Sequence, residues 1–170
     1  APLLISTIEN MTQVRIDHYI EVNFAGFANL VDAVGGVDIC TNTEIRDNKS
    51  HIDLPAGKNH LDGTTALKYV RARTFDGTGD LGRMKLQQKF IASMISATTS
   101  TGTLLNPIKL LSVINAGLAT VTTDSDLQKD DLVTLATQMK SLSSTNLNML
   151  TVPLSDVNYS NNGVTGAVLW

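Results

Sequence analysis

A chain of 170 residues with 42% hydrophobic and 17% charged residues has the composition of one globular domain, spanning residues 1–170, and excludes a disordered polymer. Folding at this length buries roughly 70% of the unfolded chain's surface without metal or disulfide staples, and the lone cysteine, Cys40, can form neither an internal bridge nor a Cys-based zinc site. The formal charge of -3 and pI near 5.5 argue against duplex nucleic acid, which needs a dense cationic face, and no apolar run approaches the roughly 20 residues of a membrane helix.

Leu3 to Met11 has helical spacing, and His18 to Phe24 alternates with the period of a half-buried strand. Phe27, Leu30, Val31 and Val34 then form one helical stripe, closed by Gly35-Gly36, before a short strand at Val37 to Cys40. Cys40 is expected in the core. This strand, helix, Gly-Gly, strand rhythm is that of an α/β layer fold. Arg46 to His60 is polar and turn-rich and reads as a surface excursion. Asp62 is placed to cap a helix, with Leu61 and Ala66 as its hydrophobic staple and Leu67 and Val70 continuing the apolar face. A glycine-rich break at Asp76 to Gly79 precedes a helix from about Asp80 to Ser96 with Met84, Ile91, Met94 and Ile95 on one face. Ser96 to Thr103 reads as a solvated loop, and Asn106-Pro107 opens a further helix. Ser125-x-x-Gln128 has the form of a capping box before a stripe of Leu132, Leu135, Met139 and Leu142, and Leu147 to Val152 is predicted to return as a strand.

Three of the five arginines, Arg71, Arg73 and Arg83, fall in one short window together with Asp76 and Asp80. Arginine's planar fork of donors suits phosphate or carboxylate oxygens at any pH, and the helix start beside it adds partial positive charge. Arg83 and Gln87 share a helix face that Phe90, Ile91 and Met94 continue. A face that is polar at one end and apolar beyond matches an amphipathic ligand with an anionic head. The plainer alternative is that Arg71 and Arg73 pair with Asp76 and Asp80 as surface salt bridges, which contribute little.

Other candidates carry less. Gly77 to Gly82 matches G-x-G-x-x-G but follows a helix, whereas a dinucleotide fingerprint follows a strand. His18, His51 and His60 lack metal-ligand spacing, and no G-x-S-x-G elbow is present.

The run Ile16-Asp17-His18-Tyr19, Asn23-Phe24, Phe27, Leu30-Val31-Asp32 and Val34-Gly35-Gly36-Val37-Asp38 resembles the LytR-CpsA-Psr family. So does Leu61-Asp62-Gly63, Ala66-Leu67, Tyr69-Val70-Arg71 and Arg73, followed by Gly79-Asp80-Leu81-Gly82-Arg83 and Gln87-Gln88. The resemblance implies a three-layer α/β/α sandwich with a central mixed sheet and an apolar pocket between sheet and helices. It implies a phosphotransferase at the extracytoplasmic face of the membrane, usually in Gram-positive bacteria. Such enzymes move teichoic acid, capsular polysaccharide or arabinogalactan from a polyprenyl-pyrophosphate carrier to peptidoglycan, with Mg2+ (or Mn2+) as cofactor and a membrane anchor. By motif position Arg71, Arg73 and Arg83 would clamp the pyrophosphate, Gln87 would support them, and Asp80 would orient an arginine or help deprotonate the acceptor hydroxyl.

Two departures accompany the resemblance. The family's Arg-Asp motif, metal-binding aspartates and anchor would lie before Ala1, so the chain is expected to be a trimmed or processed part of a longer domain, with no metal ligand assigned. The position before Gln87, often arginine in the family, is Leu86. The competing function is a non-catalytic module that binds polyprenyl phosphate or cell-wall glycan, and a purely structural role comes third.

Overall fold

Short local signals set the frame of the molecule. The computed structural model describes residues 2–73, 77, 79–100, 107–118, 121–138, 149, 151, 154–161 and 164–169. Its elements in order are α1 (Pro2–Thr12), β1 (Ile20–Val22), α2 (Phe24–Ala33), β2 (Val37–Thr41), β3 (Ile45–Asp47), β4 (Ile52–Leu54) and β5 (Gly57–Leu61). These are followed by α3 (Gly63–Arg71), α4 (Asp80–Ser100), α5 (Pro107–Leu118), β6 (Val121–Thr123), α6 (Lys129–Gln138), β7 (Leu154–Asn161) and β8 (Val164–Leu169).

The mixed α/β class is as expected, and among the described residues the strands pair as four two-stranded antiparallel ladders, β1 with β6, β2 with β5, β3 with β4 and β7 with β8. The half-buried strand expected over His18 to Phe24 shrinks to three exposed residues in β1. Asn23 explains the early stop: its side chain accepts from the Gly26 N–H at 2.8 Å, so Phe24 becomes the first residue of α2. That helix buries Val31 as its stripe requires, and Val34 beyond its end is 6% exposed. Gly35 and Gly36 both adopt positive φ, and at Gly36 a Cβ would lie 2.5 Å from His60 Nε2, so only glycine lets β5 close on this turn.

The polar segment expected to wander over the surface instead forms three strands. β2 alternates buried and exposed residues, and its exposed positions include Cys40, which is therefore not a core residue. Ile45 of β3, Ile52 and Leu54 of β4 and Leu61 of β5 enter the core, joining Val31, Val37, Ile39, Ala66, Tyr69, Ala72, Leu86 and Phe90. Alternating burial lets strands built mostly of polar residues contribute one apolar side chain per pair.

α3 starts as predicted. Asp62 accepts from the Thr65 N–H at 2.7 Å, the cap holds its carboxyl below the ordinary range, and Leu61 and Ala66 are fully buried as the staple. Its buried face is Gly63, Ala66 and Tyr69, with Leu67 and Val70 only partly covered. The Tyr69 hydroxyl has no partner among the described residues, and burial pushes its pKa up to about 12.

α4 runs past Ser96 to Ser100, taking in residues expected in a loop. Within this last stretch the Thr98 and Thr99 hydroxyls donate back to the Met94 and Ile95 carbonyls, which satisfies them inside the helix. Its core face is Leu86 and Phe90, with Met94 and Ala97 packed behind, while Met84 and Ile91 of the expected stripe are exposed. The Phe90 ring stacks tilted against Phe27, centroids 5.1 Å apart. α4 packs on β2 and α3, and α3 on α2, β4 and β5.

α6 begins after the predicted box. Gln128 takes the cap position, and its N–H donates to Asp131 at 2.8 Å. Thr74 to Asp76, Thr78, Asn106, Met139, Leu142 and most of the strand predicted at Leu147 to Val152 lie outside the described residues.

Candidate oxyanion site

The last turn of α3 and the first turns of α4 converge. Arg71 ends α3, Arg73 follows its cap, and Arg83 lies one turn into α4, where only 26% of its side chain is exposed. All three line one cleft of about 450 Å3 together with Phe24, Asp47, Lys49 and Ser50. The three arginines that cluster in the sequence therefore cluster in space.

Each cation is held differently. The Arg71 guanidinium stacks 4.8 Å above the Phe24 ring, a cation–π contact that fixes its plane and leaves its N–H groups available. Arg73 and Arg83 share one carboxylate oxygen, Asp80 Oδ1, at 3.3 and 3.4 Å. The alternative of simple surface pairing thus holds for Arg73 with Asp80, while Arg71 has no carboxylate partner among the described residues and Asp76 lies outside them. Arg83 Nε is buried without a hydrogen-bond partner among the described residues, a costly state for a charged donor.

Gln87 does not line the cleft; its amide donates to the Val70 carbonyl at 3.2 Å, tying α4 to the end of α3. The start of α4 is also outside the lining, where Asp80 occupies the first turn. Leu86, the departure noted in the motif, is 6% exposed and packs in the core. An arginine there would have to bury its charge or displace α4.

Sequence reasoning missed Asp47, Lys49 and Ser50. Asp47 is 1% exposed; its Oδ1 accepts from the N–H groups of Lys49 and Ser50 at 2.7 and 3.2 Å, and its Oδ2 accepts from the Arg73 N–H. One buried carboxylate thereby fastens the β3–β4 turn to Arg73, just past the cap of α3. The signal available was the turn-forming Asp47-Asn48-Lys49-Ser50 run itself, since an aspartate at the first position of a turn bonds to backbone N–H groups ahead of it. Among the described residues no group of three or more His, Cys, Asp or Glu side chains is placed to hold a metal ion. Asp47, the acid among the described lining residues, is buried and accepts from three backbone N–H groups, so by itself it does not fit a divalent-cation site.

The cleft of this α/β chain, lined by three arginines, a lysine, a hydroxyl and one buried carboxylate, carries the kind of donors that recognise oxyanions such as phosphoryl groups. The LytR_cpsA_psr family model matches residues 1–168, and the chain belongs to that family. The chain is 37% identical over 154 residues to the cell wall biosynthesis protein LcpA of Corynebacterium glutamicum, covering 91% of this chain and 29% of LcpA. It is 33% identical over 141 residues to the polyisoprenyl-teichoic acid–peptidoglycan teichoic acid transferase TagU of Enterococcus faecalis, covering 83% of this chain and 44% of TagU. The crystal structure of B. subtilis TagV superposes with a TM-score of 0.79 at 25% identity, over 97% of this chain and 62% of that one. The chain thus spans less than half the length of both named sequence relatives.

Proposed function

We propose that this chain is the pyrophosphate-gripping part of a catalytic domain that transfers a glycopolymer from a polyprenyl-pyrophosphate carrier to peptidoglycan at the extracytoplasmic face of the membrane. The observation that carries the reading is the joint lining of one cleft by Arg71, Arg73 and Arg83, in a family whose named relatives include a teichoic acid transferase. An acceptor sugar hydroxyl would attack the phosphorus next to the glycan and form the new P–O bond, the P–O bond to prenyl phosphate would break, the hydroxyl proton would pass to water or to the departing prenyl phosphate, and the arginines would neutralise charge growing on the phosphoryl oxygens. Asp80 would hold Arg73 and Arg83 in register, and Gln87 would act through α3. The prenyl tail would run into an apolar pocket beyond the arginines. Dependence on Mg2+ or Mn2+ and membrane anchoring belong to the whole protein in this reading. No step here is routed through a metal, and no helix among the described residues is long and apolar enough to cross a membrane.

The test is Arg83→Ala in the full-length protein. Removing a transition-state clamp lowers the transfer rate about a hundred- to a thousandfold, by about 2.7 to 4 kcal/mol. The assay follows phosphodiester-linked glycan on peptidoglycan fragments by mass spectrometry, and transfer at the wild-type rate refutes the clamp. One observation favours the second reading, a binding module without turnover: Asp47, the acid among the described lining residues, is buried and accepts from three backbone N–H groups, so it is not poised as a base. Tight binding of a prenyl pyrophosphate with no transfer by the full-length protein would select it.

A further inference from the structure

The β3–β4 turn brings Lys49 and Ser50 to the arginine cleft from a part of the chain more than twenty residues before Arg71. Asp47 consumes the backbone N–H groups of both residues, so what the turn presents to the cleft is their side chains. Lys49 is exposed, lines the cleft and has no ion-pair partner among the described residues. Ser50 is 9% exposed, and its hydroxyl is buried with no hydrogen-bond partner among the described residues. A buried orphan hydroxyl is unfavourable by itself and gains a partner when an acceptor arrives. The cleft thus holds, besides Arg83 Nε, two donors on one turn that the fold leaves unused. Asp47 also accepts from the Arg73 N–H, so this turn and the arginine arm are held to a common carboxylate and cannot drift apart independently.

We infer that Lys49 and Ser50 form a second arm of the oxyanion site and donate to phosphoryl oxygens of a bound pyrophosphate head. This rests on the pyrophosphate reading above and adds the residues that complete the grip. Lys49 supplies a mobile point charge that can follow a head group whose charge redistributes, whereas the arginines supply fixed forks. Ser50 supplies a short neutral donor.

Titration calorimetry of the 170-residue chain with inorganic pyrophosphate tests the assignment. Lys49→Met is expected to weaken binding about tenfold, Lys49→Arg to restore it to within about twofold, and Ser50→Ala to weaken it a few-fold without lowering the melting temperature, since no partner is stranded. Lys89→Met, exposed on α4 outside the cleft lining, serves as the control for charge alone. The inference is overturned if Lys49→Met and Ser50→Ala bind like wild type while Arg83→Ala does not, which leaves the pyrophosphate reading standing. It is also overturned if Lys89→Met loses as much as Lys49→Met. A wild-type chain that takes up no pyrophosphate at all rejects the pyrophosphate reading itself, and the second arm with it.

Discussion

Asp80 Oδ1 lies 3.3 Å from Arg73 Nε and 3.4 Å from Arg83 Nη2, longer than the roughly 2.7 to 2.9 Å of a strong charge-assisted bond. One carboxylate between two guanidiniums leaves an excess of positive charge, and Arg71 and Lys49 add to it. Asp80 therefore both aligns the pair and competes with an incoming phosphoryl oxygen for the same donors. Its side chain is 66% exposed, so the competition is screened and modest. Asp80→Asn keeps the shape and removes the charge. The chain carrying it is expected to bind inorganic pyrophosphate about two- to fivefold more tightly by calorimetry, while the full-length variant transfers glycan more slowly because the guanidiniums lose their alignment. Weaker pyrophosphate binding would show that alignment outweighs competition even in the ground state.

α2 and α3 meet closely enough that their contact sets where the arginines point. The Gly63 N–H donates to Asp32 Oδ1 at 2.7 Å, and a Cβ at Gly63 would stand 2.1 Å from the Ala28 carbonyl oxygen and 2.6 Å from its carbon. Those are backbone atoms in mid-helix, which cannot swing aside as a side chain can. Gly63→Ala must therefore push α3 away from α2, costing about 1 to 3 kcal/mol by overpacking and tilting the helix that ends in Arg71. A fall of roughly 2 to 12 °C in melting temperature with weakened pyrophosphate binding is expected; an unchanged melting temperature would mean the contact yields without cost. The helices around this contact were legible because their signals are local: Asn23 and Asp62 cap, Leu61 and Ala66 staple, and Gly35-Gly36 stop the chain within a few residues of where they act. β3, β4 and β5 were not legible. Ile45, Ile52 and Leu54 stand singly beside charged or turn residues, and their burial follows from the pairing of β3 with β4 and from α3 packing on β4. The same distinction divides the cleft. Arg71, Arg73 and Arg83 were visible by density in the chain, whereas Lys49 and Ser50 reach it only through a hairpin and a buried aspartate.

At the scale of the whole molecule, a long-range closure joins the first strand to the sixth. β1 pairs with β6 in register Ile20 to Thr123, Glu21 to Thr122 and Val22 to Val121, yet every β1 residue is exposed and α1 buries none of its residues. Hydrophobic burial contributes little there, so polar contacts must hold the ladder. Asp124 supplies them: its Oδ2 accepts from the Tyr19 N–H at 2.6 Å, its Oδ1 from the N–H groups of Asp126 and Leu127 at 3.0 and 2.9 Å, and the His18 ring lies 3.4 Å away. The backbone donor of Tyr19 above all, aided by the others, lowers the carboxyl from 3.8 to about 2. A folded-state pKa below the unfolded one means the ionised form favours the folded state. That contribution is complete above the unfolded value of 3.8 and is lost as pH falls toward about 2. Asp124→Asn removes the charge at every pH. Wild type is therefore expected to be more stable than Asp124→Asn in urea at pH 7, with the gap narrowing between about pH 4 and pH 2, and the amides of β1 should lose hydrogen-exchange protection first in the variant. Asp38 and Asp62 also sit below their ordinary range and weaken on acidification, but they do so in both proteins and cancel in the difference. A gap that stays constant from pH 7 to pH 2 would show that Asp124 holds the closure through its shape and not through its charge.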